Sequence, residues 1–352
     1  MKPLHLKSYN IKLILLSLMH FATDGLCSYL VFARLYPDNP NVAFIIFIGY
    51  NILAFVTQSP VGILIDKYNK PKFFLSISVI MVLLGYALSS IWVLSILMIG
   101  MGNSLFHVAG GKYVTDKSGN DISHLGIFVS TGAVGLVLGQ RYFSSPPLPY
   151  LLFALLILSL IPVIFFEDSK ARSYPEEYES KDSATHVMLI VMAVVLARSF
   201  VGKVVSADFT LSGHVFLIIA LATALGKAVG GVCAKLFGIR PTTYVSMAVA
   251  AICLTLGTGN PYTFILGVFA FNFTMPITLY YANILQKGKE GFAFGTLAAV
   301  LAPGYFLAMS FTYTTLARIM CALLCIFSMA VIIFISRRIR SADSSTYSDS
   351  TP

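Results

Sequence analysis

Asp24 stands in an apolar run that holds no other charge between Lys12 and Arg34. An ionised carboxylate in such surroundings is costly unless it meets a cavity or a partner. His20 lies four residues earlier, so on a helix the imidazole and the carboxylate share one face. Burial favours the neutral form of the acid and a neighbouring cation its charged form. That opposition suits the pair to taking up and releasing a proton. His107 also sits in an uncharged stretch, as a proton carrier, a substrate ligand or a hydrogen-bonding link to a neighbouring helix.

Arg198 and Lys227 are basic residues in apolar segments. Lys227 reads as a substrate cation site or as a snorkelling lysine near a helix end, and snorkelling is the preferred reading. Arg318 lies close enough to a segment end to need no partner. Asn272 with Pro276 marks a polar, kinked cavity lining or polar glue between helices. With Asp24 ionised, one negative and two positive embedded charges leave an excess of one positive, which favours an anionic or zwitterionic solute. His124, His186 and His214 fall near segment ends and carry no argument.

The same residues exclude other chemistry. There is no nucleophile–base constellation. The five cysteines, Cys27, Cys233, Cys253, Cys321 and Cys325, are odd in number and have no metal-ligand spacing, so they read as packing residues. We therefore expect no enzyme activity, no cofactor and no metal site. A membrane enzyme using His20, Asp24 or His107, or a sensor that binds without transport, are the readings from other classes.

The elements that must hold these residues follow from composition. Of the 352 residues, 57% are hydrophobic and 11% charged, against about 25% charged in soluble domains. No Asp, Glu, Lys or Arg occurs between Phe73 and Gly111 or between Pro241 and Gln286. A helix needs about 20 apolar residues to cross the hydrocarbon core, so each stretch holds two spans and a turn. Twelve spans fit: 12–33, 42–65, 73–91, 93–114, 122–142, 148–166, 185–204, 213–236, 241–258, 262–285, 292–311 and 314–336. The basic start resembles a signal peptide, but its apolar run is long, contains Asp24 and lacks a small-residue cleavage site. The expected organisation is a six-helix bundle over 1–166, a polar linker over 167–184, a second bundle over 185–340 and a disordered Ser/Thr/Asp-rich tail over 341–352.

Charge orients the chain. Arg34, Arg141 and Lys203 fall on one side and Arg198, Lys227 and Arg318 within spans; the rest of the 24 Lys and Arg fall on the side of the N-terminus. By the positive-inside rule both termini are cytoplasmic. The net charge of +9 is thereby assigned to bilayer anchoring rather than to nucleic acid. The expected location is an inner (plasma) membrane and the expected state a monomer.

The loop after the second span reads Gly62-Ile-Leu-Ile-Asp66-Lys67-Tyr-Asn69-Lys70-Pro-Lys72. It resembles the G-x-x-x-D-[RK]-x-G-x-[RK]-[RK] signature of the major facilitator superfamily. Asn69 replaces a glycine and still tolerates a left-handed backbone. A degenerate copy follows the eighth span, Gly231-Val-Cys-Ala-Lys235-Leu-Phe-Gly238-Ile-Arg240. Its aspartate position is Lys235, which argues against a matching charge latch in the second half. The resemblance implies a conformational latch built from Gly62, Asp66, Lys67, Lys70, Gly231 and Arg240. Repetition of this kind marks transporter folds whose site lies at the repeat interface.

His20-Phe21-x-x-Asp24, Gly100-Met-Gly102-Asn-Ser104-Leu-Phe106-His107 and Phe128-x-x-x-Gly132-x-x-Gly135-x-x-Leu138-Gly139 resemble motifs of the first, fourth and fifth helices in the fosmidomycin-resistance-type antiporters, a branch of that superfamily. Lys112 stands at a position usually basic there, and Arg198-Ser199 resembles a pair in the seventh helix. The branch's Pro-Glu after the fourth-helix histidine is Val108-Ala109 here, and Gln140 stands in place of a proline. The resemblance implies an all-α fold of two pseudo-symmetric six-helix bundles, a secondary transporter that works by alternating access, and proton-coupled efflux, with uptake of a small anionic or zwitterionic metabolite as the alternative. It implies a cavity lined by Asp24, His20, His107, Arg198, Lys227, Asn272 and Gln140, with the first and seventh helices facing each other. An Asp24–Arg198 pair is then either a switch or a permanent ion pair, and both readings stay open.

Overall fold

The computed structural model describes residues 2–141, 147–165, 181–206, 213–256, 260–312 and 314–348. Ten of its helices are long and apolar enough to cross a membrane: α1 Ile11–Asp38, α2 Pro40–Tyr68, α4 Trp92–Ser118, α5 Ile122–Arg141, α7 Ala184–Val205, α8 Val215–Phe237, α9 Ile239–Leu256, α10 Pro261–Leu285, α11 Glu290–Ala308 and α12 Thr315–Ile339. Two shorter apolar helices, α3 Pro71–Ala87 and α6 Pro147–Val163, stand where the third and sixth spans are expected. Large apolar side chains such as Phe44, Leu158, Val245 and Leu323 are exposed on the outside. In a multi-pass membrane protein that surface meets lipid rather than water.

Helices α1–α6 form one bundle and α7–α12 the other. Within the first, α1 packs on α5 and α6, and α3 on α4; within the second, α9 packs on α10 and α12, and α7 on α11. The halves meet chiefly through α2 against α11 and α5 against α8. These two contacts are equivalent under a shift of six helices, as the repeated loop predicts. Gly135 and Gly139 let α5 approach the backbone of α1 so closely that a Cβ on either would stand 2.1 Å from a carbonyl oxygen, of Phe21 and Gly25 respectively.

Local chemistry sets the helix ends. Asn69 closes α2 in the left-handed conformation, φ 49°, as the sequence suggests. Asn260 caps α10 by accepting from the backbone N–H groups of Tyr262 and Thr263. The expected kink appears as a break in α10: one helix ends at Phe271, and another begins at Thr274. The last helix runs to Ser348, because extending an existing helix avoids the nucleation cost that a polar segment cannot meet alone. Residues 349–352 and most of the expected linker, 166–180, lie outside the described residues.

Candidate functional site

A cavity of about 590 Å³ lies between the halves. Its mid-depth wall in the first half is the face of α1 that carries His20 and Asp24, together with Asn103 and His107 of α4. The i, i+4 spacing aligns the α1 pair, and the missing side chain of Gly132 on α5 makes room for it. A Cβ there would stand 2.3 Å from both Asp24 Oδ2 and His20 Nε2. Gln140 and Lys227 also line the cavity.

The two histidines face one another. His20 Nε2 is 2.9 Å from His107 Nε2. Asp24 holds both, Oδ2 lying 3.3 Å from His20 Nε2 and Oδ1 3.5 Å from His107 Nε2. Asn103 Nδ2 donates to Asp24 Oδ1 at 2.9 Å. Behind the rings, His20 Nδ1 donates to the Phe128 carbonyl at 2.8 Å and His107 Nδ1 to the Asn103 carbonyl at 2.9 Å. A carbonyl only accepts, so both rings carry a proton on Nδ1. Two neutral rings would therefore oppose their Nε2 lone pairs across 2.9 Å. The arrangement is satisfied when a positive centre sits among the three groups.

Arg198 is buried behind the opposite wall. Its Nη1 donates to Thr278 Oγ1 at 3.2 Å and contacts Met275 Sδ at 2.9 Å, and its Nη2 donates to Thr274 Oγ1 at 3.0 Å. Its Nε finds no partner. Among the described residues no ion pair joins Arg198 to Asp24, since the carboxylate is taken by the histidines of its own half. Lys227 corrects the snorkelling reading: it enters the cavity and donates to the Val129 carbonyl at 3.3 Å. Asn272 is a second correction. It is buried at the end of the first helical piece of α10, where its side chain bonds back one turn to the Val268 carbonyl at 2.8 Å, and it is not part of the cavity lining.

The cavity is closed on the side of the termini. Asp66 accepts from the backbone N–H groups of Gly291 at 2.9 Å and Phe292 at 2.7 Å, at the N-terminus of α11, where the helix dipole favours an anion. Lys112 Nζ lies 3.2 Å from Asp66, 3.4 Å from Asp116 and 3.3 Å from Glu290, and so ties α2, α4 and α11 together. Asn283 donates to Thr115 and Asn120. The doubled loop also makes a contact between the halves, with its charges reversed. Lys235 donates to Asp121 of the first half, and Gly231 lies against the Ile122 backbone. Asp121 precedes α5, outside the spans. Burial pushes its carboxyl up, but the bonds from Lys235 and Ser123 outweigh this and bring it down to about 2.

Three residues expected in the latch lie apart from these contacts between the halves. Lys67 and Lys70 are exposed, as flexible lysines at a polar loop should be. Arg240 bonds the Ser336 hydroxyl and carbonyl, each at 3.1 Å, inside the second half. Lys112, Asp116, Glu290 and Asp121 were missed as latch residues. The signal available was the i, i+4 spacing of Lys112 and Asp116 at the end of a span. From mid-depth the cavity runs along α1, α5, α7 and α11 toward their ends remote from the termini, past Phe32, Arg141, Lys203 and Tyr305. There the halves touch through aromatic contacts. Arg141 lies 3.8 Å over the Phe216 ring, and Phe47 meets Tyr305 at 6.0 Å between ring centroids.

A family model described as Major Facilitator Superfamily matches residues 13–186. No curated protein sequence matches the chain. The whole chain is similar in structure to the E. coli fucose:proton symporter FucP, with TM-score 0.69, 13% identity, and 93% of this chain and 99% of that one covered. The human organic anion transporter MFSD10 gives TM-score 0.69 and 14% identity, with 92% and 99% covered. A bacterial homologue of the iron transporter ferroportin, in an outward-facing state, gives 0.64 and 14%, with 93% and 99% covered. At these identities the likeness is one of fold. The chain has the major facilitator fold.

Proposed function

We propose that this protein is a secondary transporter that moves a small organic anion or zwitterion by alternating access, coupled to protons. The observation that carries the reading is a cavity between two six-helix halves, sealed toward the termini by contacts that can break without disturbing either half. Asp66 reaches the start of α11 and Lys235 reaches Asp121, and both contacts cross the interface. Rocking of one bundle against the other around a fixed mid-depth site is the motion that such repeats support.

Substrate class and coupling rest on charge. The second half offers Lys227, which lines the cavity and lies within ion-pair distance of no carboxylate among the described residues, with Arg198 buried behind the wall, whereas Asp24 is occupied by His20 and His107. The cavity therefore has room for an added negative group. The printed descriptions of the structural neighbours, a sugar:proton symporter and an organic anion transporter, are compatible with both parts. Efflux follows from the likeness of the first-half motifs to the fosmidomycin-resistance-type branch, and uptake is the alternative.

Protein reconstituted in liposomes tests the reading. An imposed proton gradient should drive net flux of a labelled carboxylate or phosphonate, and the orientation that supports flux distinguishes efflux from uptake. Binding of such anions with no flux under any gradient would make the chain a sensor, and chemical turnover of the solute would make it an enzyme.

A further inference from the structure

The His20–Asp24–His107 cluster brings one ligand atom from each residue within 4.8 Å of the others. No sequence spacing shows this, because His107 arrives from α4. We infer that the cluster is a binding site for a divalent transition-metal cation of the zinc or cobalt type, open on one side to the transport cavity.

Three observations point to it. Both Nδ1 protons are committed to backbone carbonyls, which leaves both Nε2 lone pairs aimed at one point. This is the arrangement usual for metal-bound imidazoles, whose second nitrogen donates to a carbonyl or carboxylate. The two nitrogens lie 2.9 Å apart, and each has its own oxygen of the Asp24 carboxylate, Oδ2 at 3.3 Å from His20 and Oδ1 at 3.5 Å from His107, distances near the edge of about 3.3 Å in a tetrahedron with bonds of roughly 2.0–2.1 Å. All three side chains line the cavity, so an ion can reach them from it.

The donor set defines the class of ion. Two imidazoles and one carboxylate suit zinc, iron, cobalt or nickel better than magnesium or calcium, which take oxygen ligands. Since all three residues line the cavity, the remaining coordination position faces the solute, and a carboxylate there would complete the shell. All three ligands belong to the first half. The bound ion therefore travels with that bundle and does not clamp the two together. Asn103 acts as a positioning residue through its bond to Asp24.

The inference rests on the transporter reading only for the cavity into which the site opens, and the test separates the two. Purified full-length protein is titrated with Co²⁺ and, in competition, Zn²⁺. The expected result is one ion per chain with the intense visible bands of tetrahedral cobalt, displaced by zinc. His107→Gln or Asp24→Asn should weaken binding by about 100-fold or more, and Asn103→Ala by roughly 10–100-fold as an outer-shell change, each in protein that elutes and melts as the parent does. Absence of cobalt bands in the parent protein, or bands that survive both ligand substitutions, overturns the site whatever the variants' stability. Proton-driven solute flux in protein that binds no cobalt discards the metal site and keeps the transporter. Cobalt binding in protein that carries no solute does the reverse.

Discussion

Gly62 and Gly291 touch backbone to backbone across the two halves: a Cβ on Gly62 would stand 2.4 Å from the Gly291 carbonyl oxygen. No rotamer change relieves such a contact, because both partners are main chain. Gly62→Ala should therefore destabilise the closure on the side of the termini by about 1–3 kcal/mol, a factor of roughly 5 to 150 in the conformational equilibrium. Spin labels at Tyr68 and Phe237, both exposed, would report the change as a longer distance population. An unchanged distance distribution would remove this contact from the gate.

Asp66 makes the same closure polar, through two backbone bonds and Lys112. Hydrogen bonds to charged groups contribute about 1.5–3 kcal/mol, so Asp66→Ala should open the gate at least as far as Gly62→Ala. Asp66→Asn keeps one acceptor oxygen and should have a smaller effect. Equal effects of the two substitutions would show that charge, not acceptor geometry, holds the helix start.

Asp24→Asn tests coupling. The amide cannot hold a cation with His20 and His107, so proton-driven accumulation should be lost while exchange of solute down its own gradient persists. Transport that keeps its full rate and its pH response would end the coupling role of this cluster.

Lys227→Gln should raise KM for an anionic solute by roughly tenfold or more, on the scale of one charge-assisted bond at about 1.5–3 kcal/mol, and Arg198→Gln, behind the wall, should have a smaller effect. Neutral solutes carried with unchanged KM in the glutamine variants would support the anion assignment. Equal losses for neutral and anionic solutes would refute it.

The Asp121–Lys235 latch predicts a pH dependence. Asp121 titrates at about 2 in the folded protein, below its ordinary 3.8, so its folded value is depressed. The stability it contributes is fully present above about pH 4 and is lost as pH falls toward 2. Melting temperatures of the parent protein and Lys235→Met should therefore differ at neutral pH and converge over that window. Parallel profiles across the whole range would contradict the assignment.

Much of the fold is legible in the sequence because lipid imposes a one-dimensional code. The apolar runs and the breaks between them mark the spans with no knowledge of packing. The Gly62–Asp66 loop is legible for the same reason, as are the shared face of His20 and Asp24 and the break at Asn272. Each is a local signal read within one helix or turn.

What lies between helices was decided by tertiary structure. Asp24 meets His107 rather than Arg198, Lys235 meets Asp121, Lys227 turns inward, and Lys112 gathers acids from three helices. Each of these pairings depends on how neighbouring helices are rotated and how closely they approach. That is set by packing of small residues such as Gly132 and Gly231 against a surface remote in the chain. Periodicity fixes which face of a helix a residue occupies, but not which helix that face will meet.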